Sequence, residues 1–120
     1  MIRRLPLIVL IVLLVLPVWA QTQHSITVAW TYTQGADPAT GFFVYRATTS
    51  GGPYTKLTNP TPLPITQLTY VDTTGVGGTK YFYTVTAVDA QAFESAMSPE
   101  ASASFLADPA APAGVTAIAK

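Results

Sequence analysis

Side chains able to do chemistry are sparse in this sequence, which holds one histidine, six carboxylates and no cysteine among 120 residues. General acid–base work needs a positioned donor and acceptor, and a metal site gathers several ligands at close spacing. His24 stands alone near the start, remote in sequence from Asp72, Asp89 and Glu94, the acids that bracket the later loops. Those three acids allow two readings. One is a carboxylate cluster at one end of the fold; the other is turn capping, in which an aspartate accepts bonds from nearby backbone amides. Gly75, Gly77 and Gly78 are followed by no helix whose N-terminus would receive a phosphate, so they read as a turn. Asn59 precedes Pro60, which disqualifies it as a glycan acceptor. The expectation is a protein with no catalytic residues, no cofactor and no metal.

The start of the chain has the secretory order: Arg3 and Arg4, an apolar run from Leu5 to Leu16, then Pro17, Val18, Trp19 and Ala20. Residues 1–20 therefore read as a signal peptide cleaved after Ala20, giving a secreted or extracellular product. The alternative is an uncleaved N-terminal membrane anchor. Against it, Leu5 to Ala20 falls short of the ~20 residues a spanning helix needs, and Pro6 and Pro17 interrupt its ends. Membrane contact is expected only through that segment, if it is retained. Beyond it, Arg46, Lys56, Lys80 and Lys120 face Asp37, Asp72, Asp89, Glu94, Glu100 and Asp108, four cations against six anions. So weak and scattered a charge offers no footprint for nucleic acid. The remaining ~100 residues are enough for packing alone to stabilise a fold without disulfides.

The elements that would position these groups are strands. From Ser25 the apolar residues Ile26, Val28 and Trp30 alternate with Thr27, Ala29 and Thr31, the period of a half-buried strand. A loop from Gln34 to Thr40 leads into a second strand over Gly41 to Thr48, and a short one over Tyr54 to Leu57 returns beside it. The stretch from Asn59 to Pro64 carries three of the ten prolines and predicts an edge crossing or a loop. Strands over Gln67 to Thr73, Thr79 to Asp89 and a span between Ser98 and Leu106 complete an all-β chain. Short strands with uneven loops favour a sandwich over a closed barrel.

Thr79, Tyr81, Tyr83, Val85 and Ala87 lie at alternate positions of one strand. Together with Trp30, with Gly41 to Arg46, and with the turn Ser50, Gly51, Gly52, Pro53, Tyr54, this pattern resembles the fibronectin type III family. The resemblance runs from about Ser25 to Phe105. It implies an immunoglobulin-like antiparallel β-sandwich over residues 21–106, with Trp30, Phe42, Val44, Tyr70, Tyr83 and Val85 in the core. Tyr81 would be the corner tyrosine, its hydroxyl bonded to backbone just upstream. The family places a leucine six residues before that tyrosine; here the position is Gly75 and the nearest apolar residue is Val76, which predicts a crossover one residue tighter.

A second departure is that the family's first strand has no counterpart before Ile26. Residues 107–120 form a Pro/Ala-rich tail in which 114–119, with Val115, Ala117 and Ile118, look like the opening strand of such a domain. The tail is read three ways: as part of a cut-off tandem array, as a strand folding back into its own domain, or as one completing a neighbour. Self-association is a partner expectation on the last reading.

If Phe42 and Val44 point inward, alternation turns Phe43 and Tyr45 outward, with Phe82 and Val88 beside them on the neighbouring strand. Phe43, Tyr45, Phe82 and Tyr54 are therefore the expected contacts with a protein or carbohydrate surface, unless Tyr54 and its turn cover that face. The functional expectation is a non-catalytic module for recognition, adhesion or spacing outside the cell. The alternatives are a subunit assembling head to tail through its C-terminal strand, and an accessory fragment of a multidomain secreted hydrolase.

Overall fold

The computed structural model describes residues 24–58 and 60–120; the expected signal peptide over residues 1–20, residues 21–23 and Asn59 lie outside the described residues. Seven strands follow in order: β1 (Ile26–Ala29), β2 (Ala39–Ala47), β3 (Thr55–Lys56), β4 (Leu63–Pro64), β5 (Thr69–Asp72), β6 (Lys80–Asp89) and β7 (Ala101–Ser104). β1 and β5 form one antiparallel sheet, and the second has the order β3-β2-β6-β7 with β4 also on β2. β2 and β6 run side by side from the Ala39–Asp89 pair to the Ala47–Phe82 pair. No helix among the described residues is long and apolar enough to cross a membrane.

The sheets close on the residues that alternation turns inward. Ile26 and Val28 of β1 meet Phe42 and Val44 of β2 and Tyr81, Tyr83 and Val85 of β6, with Phe105 sealing one end. Trp30 and Tyr70 pack against this cluster half-buried. Trp30 and Phe42 meet edge-on with ring centroids 5.3 Å apart. Full burial of side chains such as Phe42 and Val44 contributes ~1.5–3 kcal/mol each. The proline-rich stretch takes the edge position its chemistry requires, β4 lying along the outer side of β2 at Gly41 and Phe42. Gly41 permits that approach, since a Cβ there would lie 2.4 Å from the Leu63 carbonyl oxygen.

At the corner, the Val76 amide donates to the Tyr81 hydroxyl at 3.0 Å, fastening the crossover to β6. Val76, the nearest apolar residue to the position where the family has its leucine, does not fill that place, because its side chain is 65% exposed. Phe105 takes that place instead: a Cβ on Gly75 would fall 2.1 Å from its ring.

The tail is corrected in part. Residues 105–120 contain no strand, and Val115 and Ile118 are 85% and 83% exposed, so the chain does not fold back into its own sheet. The reason lies at the exit point: His24 Nε2 and Asp108 Oδ1 lie 3.1 Å apart. The tail thus departs beside the start of β1, whereas a strand antiparallel to β1 must enter at its far end.

Candidate binding surface

The register brings the expected contact residues onto the outer face of the larger sheet. Phe43 lies opposite Thr86, Tyr45 opposite Thr84 and Phe82 opposite Ala47. β3 then places Lys56 beside Tyr45. Its ammonium sits 3.6 Å from the Phe43 ring centroid and 5.4 Å from that of Tyr45. Glu94 closes the group by accepting from the Tyr45 hydroxyl, from Thr86 Oγ1 at 2.7 Å and from Lys56 Nζ at 3.3 Å. Burial opposes the charge on Glu94, yet these three donors together hold its carboxyl below the ordinary value. Burial likewise works against Lys56, but the bonds to Tyr45 and Glu94 keep its ammonium charged to higher pH than usual.

The expected exposure of this face is therefore corrected. Phe43 is only 8% and Val88 3% exposed, and Tyr45 and Phe82 are half-buried. Lys56 and Glu94 provide the cover, and Lys80 lies 5.4 Å from the Phe82 centroid. Tyr54 belongs to a separate cluster, its hydroxyl donating to Glu100. Glu100 also accepts from the Gly51 amide at 2.8 Å and from Ser50 Oγ at 2.7 Å.

The three bracketing acids are not brought together. Asp72 is wholly buried. It accepts from Arg46 at 2.8 Å, from Tyr83 at 2.7 Å, and from the amide and hydroxyl of Thr74 at 2.9 and 2.7 Å. Burial resists its charge, but the Thr74, Tyr83 and Arg46 bonds prevail and hold its carboxyl below the ordinary value. Burial first, and then the bond to Asp72, push the Tyr83 hydroxyl far above its usual range. Asp89 caps a turn as aspartates do, its Oδ1 accepting from the Gln91 and Phe93 amides at 2.9 Å each. Among the described residues no group of three or more His, Asp or Glu side chains is placed to hold a metal ion.

An open surface lies instead at the end of the sandwich where the β1–β2 loop meets the turn after β6, a region that sequence reasoning passed over. Tyr32, Asp37, Asp89 and Phe93 border a cleft of about 220 Å³. A smaller groove of about 140 Å³ continues past Tyr32 to Trp30, whose buried indole Nε1 has no hydrogen-bond partner among the described residues. Phe93 is 74% exposed. Its turn is held rigidly, because besides the Asp89 cap the Phe93 carbonyl accepts from the Asp89 amide at 3.0 Å. Ala92 takes a left-handed φ of 69°, a conformation that side chains other than glycine's adopt at a cost. The Phe93 amide lowers the Asp89 carboxyl, while bonding to Asp89 and repulsion from its charge raise that of Asp37. An aromatic side chain presented on a stiff turn beside two carboxylates and a tyrosine can stack against an apolar ring face and accept bonds from hydroxyls. The one sequence signal was an aromatic inside a turn-forming, non-alternating stretch.

No family model matches the chain. Over 67 residues it is 45% identical to an amylopullulanase of Thermoanaerobacter thermohydrosulfuricus, a match covering 56% of this chain and 4% of that protein. An amylopullulanase of Thermoanaerobacterium saccharolyticum is 35% identical over 74 residues, covering 62% of this chain and 5% of its own length. The chain thus spans a small fraction of these relatives. Among solved structures, a β-1,2-glucanase from Parabacteroides distasonis matches with 25% identity and a TM-score of 0.58, over 72% of this chain and 12% of that one. An Fn3-like protein from Clostridium thermocellum matches with 34% identity and a TM-score of 0.53, over 75% of this chain and 82% of its own. That likeness extends through most of both chains, and with the two antiparallel sheets and the bonded corner tyrosine it establishes that this chain belongs to the fibronectin type III family.

Proposed function

We propose that this domain is a non-catalytic accessory module of secreted carbohydrate-acting proteins, and that it contacts neutral glucan chains through the cleft between Tyr32 and Phe93. The observation that carries the reading is the presentation of Phe93, 74% exposed on a turn pinned by Asp89. A phenylalanine left in water on a strained turn held by hydrogen bonds to Asp89 is preorganised to stack, and such strain gathers at functional positions. Relatives named as amylopullulanase and β-1,2-glucanase, each of which this chain matches over a small part of its length, support a glucan as the partner. The order of basic, apolar and small residues at the start of the sequence supports export. Phe43, Tyr45 and Phe82 take second place as contacts, since a ligand reaching Phe43 must first displace Lys56 from its ring.

Affinity electrophoresis tests the reading. The purified protein is run in gels containing starch, pullulan or a linear β-1,2-glucan, beside Phe93→Ala. Retardation of the wild type by at least one polymer, abolished in the variant at unchanged melting temperature, is the expected outcome. A wild type that migrates freely in all three gels overturns it.

A further inference from the structure

We infer that the open edge of β1 accepts residues 114–119 of a second copy as an added antiparallel strand, so that chains join head to tail. Among the described residues β1 pairs only with β5. Its other edge borders a groove of about 200 Å³ between β1 and β7, floored by Ile26, Val28 and Tyr83 and walled by Ala101 and Ala103. The small side chains of β7 leave room for a strand carrying residues of modest size. An unpaired edge is a template for main-chain hydrogen bonds from another chain, and side-chain pockets along it set which sequence fits.

The tail supplies such a sequence. Residues 114–119 read Gly, Val, Thr, Ala, Ile, Ala, with no charge and no proline to block a ladder. They belong to no strand in the single chain, and Val115 and Ile118 stand 85% and 83% exposed. The groove is lined by uncharged residues throughout, so donor and acceptor match in polarity. Geometry selects a second copy over self-insertion. The tail leaves beside the start of β1, where Asp108 meets His24 at 3.1 Å, and entering from there it would run parallel to β1. To run antiparallel it must first travel the length of β1 and reverse, a restriction that another molecule's tail escapes. Donor segment and acceptor edge are different surfaces, so the contact is heterologous and repeats without closing.

Sedimentation velocity over a concentration series tests this on the full chain and on the double variant Val115→Asp, Ile118→Asp, which alters only exposed tail residues. The full chain should gain mass in whole multiples of the monomer as concentration rises, while the variant stays monomeric. A synthetic peptide of residues 109–120 added to the variant should bind one to one and slow amide exchange at Ile26 to Ala29. Three results overturn the inference: a full chain monomeric into the millimolar range, equal assembly by the variant, or a monomer whose own tail already protects β1.

Discussion

Phe105 occupies the volume that a side chain at position 75 would fill: its ring lies 2.1 Å from where a Gly75 Cβ would stand, and it meets Tyr81 edge-on at 5.6 Å. The end of the last strand thus plugs the corner of the sandwich. The residue lacking at the crossover is replaced from 30 positions away in sequence, which no local pattern reveals.

Phe105→Ala should cost ~3–5 kcal/mol, the range for emptying a buried aromatic site. Gly75→Leu should also destabilise alone, because ring and side chain compete for one volume. Combined, the two changes should recover part of the loss, and a double-mutant cycle from urea melts reads the coupling. Strictly additive losses would show that the two positions do not share the space.

Asp72 makes stability depend on acid. Its carboxyl is held below the ordinary 3.8, so the unfolded chain takes up the proton first as pH falls. The stability it contributes is present above the unfolded value, about pH 4, and is lost as pH drops through the folded one. Asp72→Asn should cost ~3–5 kcal/mol near neutrality, as breaking a buried ion pair does, and should flatten the acid limb of a stability-against-pH curve.

The alkaline side belongs to Tyr83. Its hydroxyl is raised far above the ordinary 10.0, so stability is intact below that pH and declines as pH rises past it, where the unfolded chain alone loses the proton. Tyr83→Phe should lessen that decline, measured by thermal melts above pH 10, and leave the smaller part due to Tyr45 and Tyr54, whose hydroxyls are also raised.

Lys56 covers Phe43 with an ammonium 3.6 Å from the ring centroid. Lys56→Ala should cost ~1–2 kcal/mol, the scale of a desolvated cation–π contact, and should raise binding of an apolar dye. Lys56→Met should lose stability without gaining dye, since its stem still shields the ring. Equal dye binding by both variants would show that the cover is electrostatic alone.

Ala92 at φ 69° is strained, and glycine is at ease there. Ala92→Gly should gain ~0.5–1 kcal/mol: relief of ~1–2 kcal/mol of left-handed strain, offset by the greater freedom of glycine in the unfolded chain. Chemical denaturation checks the sign.

Much of the sandwich was legible because its strands alternate: Ile26 and Val28, Phe42 and Val44, and Tyr81, Tyr83 and Val85 all face the core as their spacing predicts. The corner bond to Tyr81 followed from the family resemblance. The closed outer face was not legible, because alternation tells which way Phe43 points and not what lies on it. Lys56 arrives there through pairing of a two-residue strand too short to carry a period. The cleft was missed for a related reason: Tyr32 and Phe93 lie 61 positions apart in irregular segments, and only the β2–β6 register draws their loops to one end.

The most direct test of the glucan-contact role is a titration of the isotopically labelled protein with malto-oligosaccharides and β-1,2-gluco-oligosaccharides, followed amide by amide by NMR. Shifts concentrated at Tyr32, Asp37, Asp89 and Phe93, with β3 silent and the response lost in Phe93→Ala, are the expected result. Shifts centred on Phe43, Tyr45 and Lys56, or none with either sugar series, would contradict it.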